Sequence, residues 1–403
     1  MALIFGGILF NQVIGPLTVI CVLAGVAAIF LLRWEQLPRA LTRSLPLFSL
    51  PVFCIASALW SDHPDHTLYY AALYGVTALA GILIGGALKR SSYVEGYFVA
   101  FAIYSIACVL FGRSVVFGVG GSAYAGLAGS KNTAGDMAGV ATLVTLAFIG
   151  FKIYRYQFIQ AIGALALLPI FGVLLLLSKA TGALLATIMA SGLIVVWLIS
   201  RSFSLQVRGT VLTAAVILLT LAVVTQDLWI KPVFDLVLDV SGKGTGLTGR
   251  VDIWVIGDQL IEERPAAGLG YYAFWMKDNL TAQIIWEMMG IKGQSGFNFH
   301  NTQMEIVVHL GYIGLAIAIV MAAWATIPLV YRSVVEPYFS SICACTLLVF
   351  FAVKVPFEVV AFDPMHFTTV TIYAIFALGL RRDAPAREPK TQRPQTLEQA
   401  YAV

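Results

Sequence analysis

The chain has 403 residues, of which 59% are hydrophobic and only 11% charged, against roughly 45–50% and 25% in an average soluble domain. That balance excludes an ordinary water-soluble fold, and a net charge of +4 scattered between apolar runs excludes a nucleic-acid-binding surface. The five cysteines, Cys21, Cys54, Cys108, Cys343 and Cys345, all fall inside apolar segments, so neither a disulfide framework nor a zinc site is expected.

The first residues, Met1 to Phe10, have no basic region and no small-residue cleavage site, so they read as a retained membrane segment. A bilayer span needs about 20 mostly apolar residues. Hydropathy places such runs near 16–32, 45–60, 68–88, 93–111, 133–151, 157–177, 180–200, 208–225, 302–330, 339–355 and 364–380, with a short piece at 2–14 as a twelfth candidate. The expected fold class is all-α, a polytopic membrane helical bundle of about 11–12 transmembrane helices. It divides into an N-terminal bundle over 1–225, a large hydrophilic loop over 226–301, C-terminal helices over 302–380 and a disordered tail over 381–403.

Orientation follows from the short loops, because Lys and Arg resist translocation. One side carries Arg33, Arg39 and Arg43, then Lys89 and Arg90, Lys152 and Arg155, Arg201 and Arg208, Arg332, and the tail's Arg381, Arg382, Arg387, Lys390 and Arg393. That side is expected to be cytoplasmic, which puts the long loop outside. Within the loop, Arg250 to Arg264 has helical character, with Val251, Trp254, Val255 and Ile261 able to share one face and Asp252, Asp258 and Glu262 another. Pro265, followed by Gly268 and Gly270, stops that helix. Asn279 to Met289 forms a second amphipathic stretch, and Trp254 and Trp286 suit a bilayer interface.

The outer side collects a sparse polar set: Asp62, His63, Asp65, His66, Lys131, Asn132, Lys179, Arg250, Arg264, His300, Asn301, Lys354 and Glu358. Lys179 sits in a short turn between two apolar runs, where a lysine is costly to bury and should meet an anion or snorkel to headgroups. Arg250 opens a helix and His300 immediately precedes one. A pyrophosphate near them would meet guanidinium, ammonium and helix N-terminal amides. His300 adds a group that titrates near neutrality, although a lone loop histidine is more often a structural hydrogen-bonding residue.

Plainer readings compete elsewhere. Asp62, His63, Asp65 and His66 are competent metal ligands, yet Pro64 and the short spacing fit a simple turn, and no metal is assigned. Asp136, three residues after Thr133, fits a capping-box-like helix start. Lys354 and Glu358, four apart, fit an ion pair, His309 a packed core histidine and His366 a boundary residue.

The order of these residues resembles the O-antigen ligase and Wzy-type polymerase superfamily of membrane proteins. The resemblance rests on Leu59-Trp60-Ser61-Asp62, Ser130-Lys131-Asn132 with Gly135, Ser178-Lys179, and Gly249-Arg250 before Trp254. It continues through Pro265 with Gly268-Leu269-Gly270, then His300-Asn301 with Glu305 and Gly311-Tyr312-Ile313-Gly314. It implies a bacterial inner-membrane glycosyltransferase with its site facing the periplasm, working without a metal or other cofactor. The implied donor is a polyprenyl (undecaprenyl) pyrophosphate-linked glycan, the acceptor lipid A–core in a ligase or a growing glycan in a polymerase, with membrane lipid around it and no nucleic acid. Carried over by motif, His300 and Arg250 are the catalytic candidates. Lys179, Lys131 and Arg264, with Arg250, would bind the pyrophosphate, and Asn301, Asn132 and Glu305 would support them. Lysine stands at 179 where many members have arginine, which keeps the charge but gives up the bidentate fork. A secondary transporter also suits the span count, but no motif repeats between the halves and the charges gather at one face. A non-catalytic scaffold leaves the clustered basic residues without a purpose.

Overall fold

The computed structural model describes residues 1–117, 121–225, 248–291, 293–294 and 296–382. Residues 226–247 and the tail after Arg382, expected to be loop and disordered end, lie outside the described residues. The N-terminal half runs through α1 (Ala2–Leu9), α2 (Leu17–Leu32), α3 (Leu37–Arg43), α4 (Ser49–Ala56), α5 (Pro64–Ala87) and α6 (Arg90–Phe111). A hairpin follows, β1 (Arg113–Phe117) antiparallel to β2 (Gly121–Gly126). Then come α7 (Lys131–Tyr154), α8 (Phe158–Leu165), α9 (Leu168–Leu177), α10 (Thr181–Ser200) and α11 (Leu205–Val224). The loop contributes α12 (Thr248–Glu263) and α13 (Leu280–Met288), and the chain closes with α14 (Thr302–Val335), α15 (Phe339–Lys354) and α16 (Phe367–Leu380).

The architecture is the expected helical bundle, with the small hairpin as an unforeseen addition. Six helices among the described residues are long and apolar enough to cross a bilayer: α5, α6, α7, α8 with α9, α10 and α14. The segment from Leu17 to Arg43 makes a seventh if its pieces, bent by 86°, count as one span. Leu45–Leu59, α15 and α16 are apolar but shorter. Among the described residues the full-length spans are fewer than the apolar runs, because α15 and α16 are only 16 and 14 residues long and the run over 45–60 is divided into short helical pieces.

Close backbone contact holds the centre. A Cβ at Gly81 would lie 2.6 Å from the Val370 carbonyl oxygen, so α5 and α16 touch main chain to main chain. Tyr74 donates its hydroxyl to the Ala361 carbonyl at 2.9 Å and meets the Tyr373 hydroxyl at 3.1 Å. At the end where the basic residues gather, Lys152 is buried against Glu95 at 2.6 Å, and Arg201 lies over the rings of Tyr154 and Phe339.

The expected span at 302–330 is broken. Gly311 adopts φ 64°, which interrupts the i→i−4 ladder of α14. A freed backbone group inside a membrane protein costs several kcal/mol unless paired, and the segment after Pro265 supplies the pairs. Tyr312 and Ile313 donate their N–H groups to the Pro265 and Ala266 carbonyls at 2.8 and 3.1 Å; Leu269 and Gly270 donate to the Val308 and His309 carbonyls at 3.0 and 2.9 Å. Gly268 must be glycine here, since it has φ 66° and its Cβ would sit 2.5 Å from the His309 backbone. The Pro265–Gly270 and Gly311–Gly314 motifs are thus two halves of one joint that fastens the loop to the bundle. Past the break, the remainder of α14 is roughly 36 Å long at 1.5 Å per residue, enough to span a core of about 30 Å.

Above this joint the loop helices form a small core of their own, built from Ile253, Phe274, Ala282, Ile285, Trp286, Phe299 and Val308. Two expectations change here. Trp286 is 1% exposed, inside that core instead of on the surface. Helix α12 docks through Ile253 and Gly257, while Val251 and Val255 point outward. The reason is Gly257, whose absent side chain lets the helix press onto Met304, where a Cβ would meet the sulfur at 2.5 Å.

Candidate functional site

Four segments far apart in the sequence meet at the end of the bundle opposite the Lys152–Glu95 pair. Ser130 caps α7 by accepting from the Thr133 N–H at 3.1 Å, which sets Lys131 and Asn132 in the first turn. Arg250 occupies the first turn of α12. His300 lies just before α14, whose N-cap is Asn301, and Glu358 follows the end of α15.

Glu358 is where they converge. Its Oε1 accepts from Asn132 Nδ2 at 2.6 Å and from the Arg250 guanidinium at 3.0 Å, while its Oε2 faces His300 Nδ1 at 3.1 Å. The second guanidinium arm of Arg250 reaches the Phe357 carbonyl at 3.0 Å, and Thr302 Oγ1 donates to the Glu358 carbonyl at 2.6 Å. Burial alone would push the Glu358 carboxyl up, but the hydrogen bond and charge of His300, then Lys354 and Arg250, outweigh it and hold it down at about 2. It is therefore a fixed anion. A carboxylate against Nδ1 keeps a proton on that nitrogen, so in the neutral ring the lone pair lies on Nε2. His366, the N-cap of α16, is driven by burial to about 4 and is uncharged near neutrality.

His300 and Lys179 share an unusual backbone, with φ 50° and 51°. Left-handed non-glycine residues cost free energy that the surroundings must override, and they concentrate at functional sites. Lys179 donates to the Ser122 carbonyl of β2 at 2.8 Å. Its turn packs on α7, where a Cβ at Gly135 would strike Ala180 and Ser178, and Gly182 lies beside Lys354 Nζ. Beneath Glu358, Lys354 is buried in an ion pair with Asp136 at 2.8 Å.

The expected residues thus divide. Arg250, His300 and Asn132 are joined through Glu358, Lys131 adjoins Asn132, and Lys179 lies in the neighbouring turn. Arg264 instead forms an exposed pair with Asp62 at 3.2 Å. Asn301 accepts from the Gln303 and Met304 N–H groups as a helix cap. Glu305 accepts from Trp275 Nε1 at 3.0 Å and the Phe299 N–H at 2.8 Å and contacts His309 Nε2 at 3.1 Å, so it fixes the approach to His300 from below. His309 is the packed core histidine expected, and His63 faces Asp278 at 4.0 Å. Among the described residues, no three His, Cys, Asp or Glu side chains are grouped to share a metal ion.

Two expectations are corrected. Asp136 does not cap α7, since Ser130 does; it is the partner of Lys354. Lys354 is consequently not the partner of Glu358, whose carboxylate is shared among Asn132, Arg250 and His300. Glu358 is the residue that sequence reasoning left outside the site. The available signal was its place at the end of an apolar helix, where any ionisable group invites a functional reading.

This is a polytopic helical membrane protein with a guanidinium, an imidazole and a carboxylate locked together at one end of the bundle. Residues 162–319 match the protein family described as O-Antigen ligase, a stretch that holds Lys179, Arg250, His300 and Glu305 but not Asn132 or Glu358. The chain is also 27% identical over 270 residues to the exopolysaccharide production protein ExoQ of Rhizobium meliloti (strain 1021), a match covering 67% of this chain and 61% of that relative.

Proposed function

We propose that this chain transfers a glycan from a polyprenyl-pyrophosphate donor to an acceptor hydroxyl at the outer face of a bacterial inner membrane. The observation that carries the reading is the Arg250–Glu358–His300 constellation at the end of the bundle away from the basic loops. Support comes also from the two similarities, whose common ground is membrane glycan assembly.

The chemistry is the following. The acceptor oxygen attacks C1 of the donor sugar, the C1–O bond breaks, and polyprenyl pyrophosphate leaves with the electron pair. Pyrophosphate needs no proton to leave, so the demands are stabilisation of its developing charge and removal of the acceptor proton. The lone pair on His300 Nε2 takes that proton, and Glu358 on Nδ1 holds the ring and steadies the imidazolium. Arg250, Lys131 and the α7 N-terminal amides face the leaving group, with Lys179 reaching in from the adjoining turn. Displacement by a single attack inverts C1.

The acceptor divides two readings. Lipid A–core makes the chain an O-antigen ligase, whereas a growing glycan makes it a polymerase. The similarity to an exopolysaccharide production protein favours the growing glycan. Purified protein supplied with polyprenyl-pyrophosphate oligosaccharide, with and without lipid A–core, tests both: a ladder of lengthening products from donor alone marks a polymerase, and one added block on lipid A–core marks a ligase. No transfer in either mixture refutes the proposal. Cysteines placed at 179, 250 and 300 should all react with an impermeant outer reagent, and labelling from opposite sides refutes it equally.

A further inference from the structure

A cleft of about 330 Å³ opens beside α13 on the loop, apart from the Glu358 constellation. Gln283, Trp286, Glu287, Gly290, Ile291 and Gln294 line it. The end of the helix makes the space. Gly290 turns the chain at φ 67°, its N–H on the Glu287 carbonyl at 3.0 Å and that of Ile291 on the Trp286 carbonyl at 2.7 Å, so α13 stops there and Gln294 comes to the same opening as Gln283. A Cβ at Gly290 would meet nothing within 4 Å, which leaves the turn open. Gln283 commits its amide nitrogen to the Lys277 carbonyl at 2.6 Å, and its oxygen is left as an acceptor. Trp286 Nε1–H, buried in the cleft wall, has no hydrogen-bond partner among the described residues, and a buried donor of that kind calls for an acceptor from a ligand or an ordered water.

We propose that this cleft is a sugar subsite, holding one uncharged pyranose unit of the glycan through Gln283, Glu287 and Gln294. Each sugar hydroxyl both donates and accepts; carboxamides offer both roles in return, and a carboxylate accepts from two hydroxyls at once. The volume is at the lower end of the range of about 300–1,000 Å³ for small-molecule sites, which suits a single unit. No basic side chain is among the described residues lining the cleft, so nothing in that lining answers a phosphate or an acidic sugar, and Glu287 repels both. An apolar ligand would find one aliphatic side chain, Ile291. The cleft lies across Trp275 from His300, with ring centres 6.2 Å apart for Trp286 and Trp275, 5.4 Å for Trp275 and Phe297, and 5.5 Å for Phe297 and His300. A glycan several units long can place its reacting end at His300 and another unit in the cleft, where binding remote from the reacting carbon favours the longer substrate. The inference rests on the glycan-transfer reading for the kind of ligand and gives that ligand a second foothold on the loop.

Full-length protein in phosphatidylcholine nanodiscs, free of sugar-based detergent, is mixed in turn with neutral tetrasaccharides of glucose, galactose and mannose and with tetragalacturonate, and saturation-transfer NMR reads which are bound and how tightly. The wild type is expected to bind a neutral tetrasaccharide and to prefer it to tetragalacturonate. Glu287→Ala, at an exposed position, should weaken that binding about tenfold, the loss of a hydrogen bond to a charged group. Gln294→Ala, also exposed, should weaken it severalfold. Glu262→Ala removes the same charge from the exposed face of α12, outside the cleft, and should leave binding unchanged. No neutral sugar bound by the wild type, tighter binding of tetragalacturonate, equal binding in Glu287→Ala and wild type, or equal loss in Glu287→Ala and Glu262→Ala overturns the proposal. No glycan donor is present, so the two readings fail separately: sugar bound by a chain that transfers nothing counts against transfer alone, and transfer by a chain whose cleft binds no sugar counts against the cleft alone.

Discussion

Replacing Glu358 by glutamine tests the candidate site most directly, because it keeps the shape and removes the charge. In the wild type one carboxylate oxygen serves Asn132 and Arg250 and the other serves His300 Nδ1. A glutamine oxygen can keep the first pair, but its NH2 group then points at the imidazole and donates to Nδ1, forcing the ring proton onto Nε2. The histidine loses the lone pair assigned to the acceptor. Inversion of a catalytic tautomer in this way costs on the order of 10⁴-fold in rate in a histidine–carboxylate system, so a fall of at least about 100-fold in glycan transfer is expected. Stability falls as well. The Glu358 carboxyl is held below the ordinary value by His300, Lys354 and Arg250, so the ionised form stabilises the fold. Since the folded value is the lower one, that contribution is complete above about pH 4.5 and is lost as the pH falls toward 2. Glu358→Gln should therefore unfold at lower temperature than wild type at pH 7, with the gap closing on acidification. Transfer within threefold of wild type by a folded Glu358→Gln protein refutes the assigned role of the dyad.

Three further outcomes are expected. Arg250→Lys should lose nearly as much transfer as Arg250→Ala, because the guanidinium serves the Phe357 carbonyl and the Glu358 carboxylate with separate arms and one ammonium cannot span both; kcat measured with saturating donor checks this. Gly311→Ala should destabilise by at least about 1–3 kcal/mol from the backbone conformation alone, with more from the clash against Ala266, and a fluorescence melt in detergent reads it. Lys354→Met should cost about 3–5 kcal/mol by stranding the buried Asp136 carboxylate, and adding Asp136→Leu should restore much of the loss. If the double variant melts no higher than the single one, the pair does not carry that energy.

Much of this was legible in the chain itself. Apolar runs, basic loops and the placement of Pro265 fix helices and their ends because they depend on local chemistry: a backbone in lipid must satisfy its own hydrogen bonds, and a proline ends the ladder wherever it stands. Arg250 and His300 were visible for the same reason, as polar residues at helix starts. The face of α12 was not, because Gly257 and Met304 decide it jointly and neither reveals the other. Nor was Glu358, whose neighbours Asn132, Arg250 and His300 lie up to 226 positions away. Lys354 was assigned the partner nearest in sequence, and folding offered it Asp136 on another helix. Apolar runs and helix ends are properties of a segment, so the sequence determines them; which charge meets which depends on where helices cross, and only the packed bundle decides that.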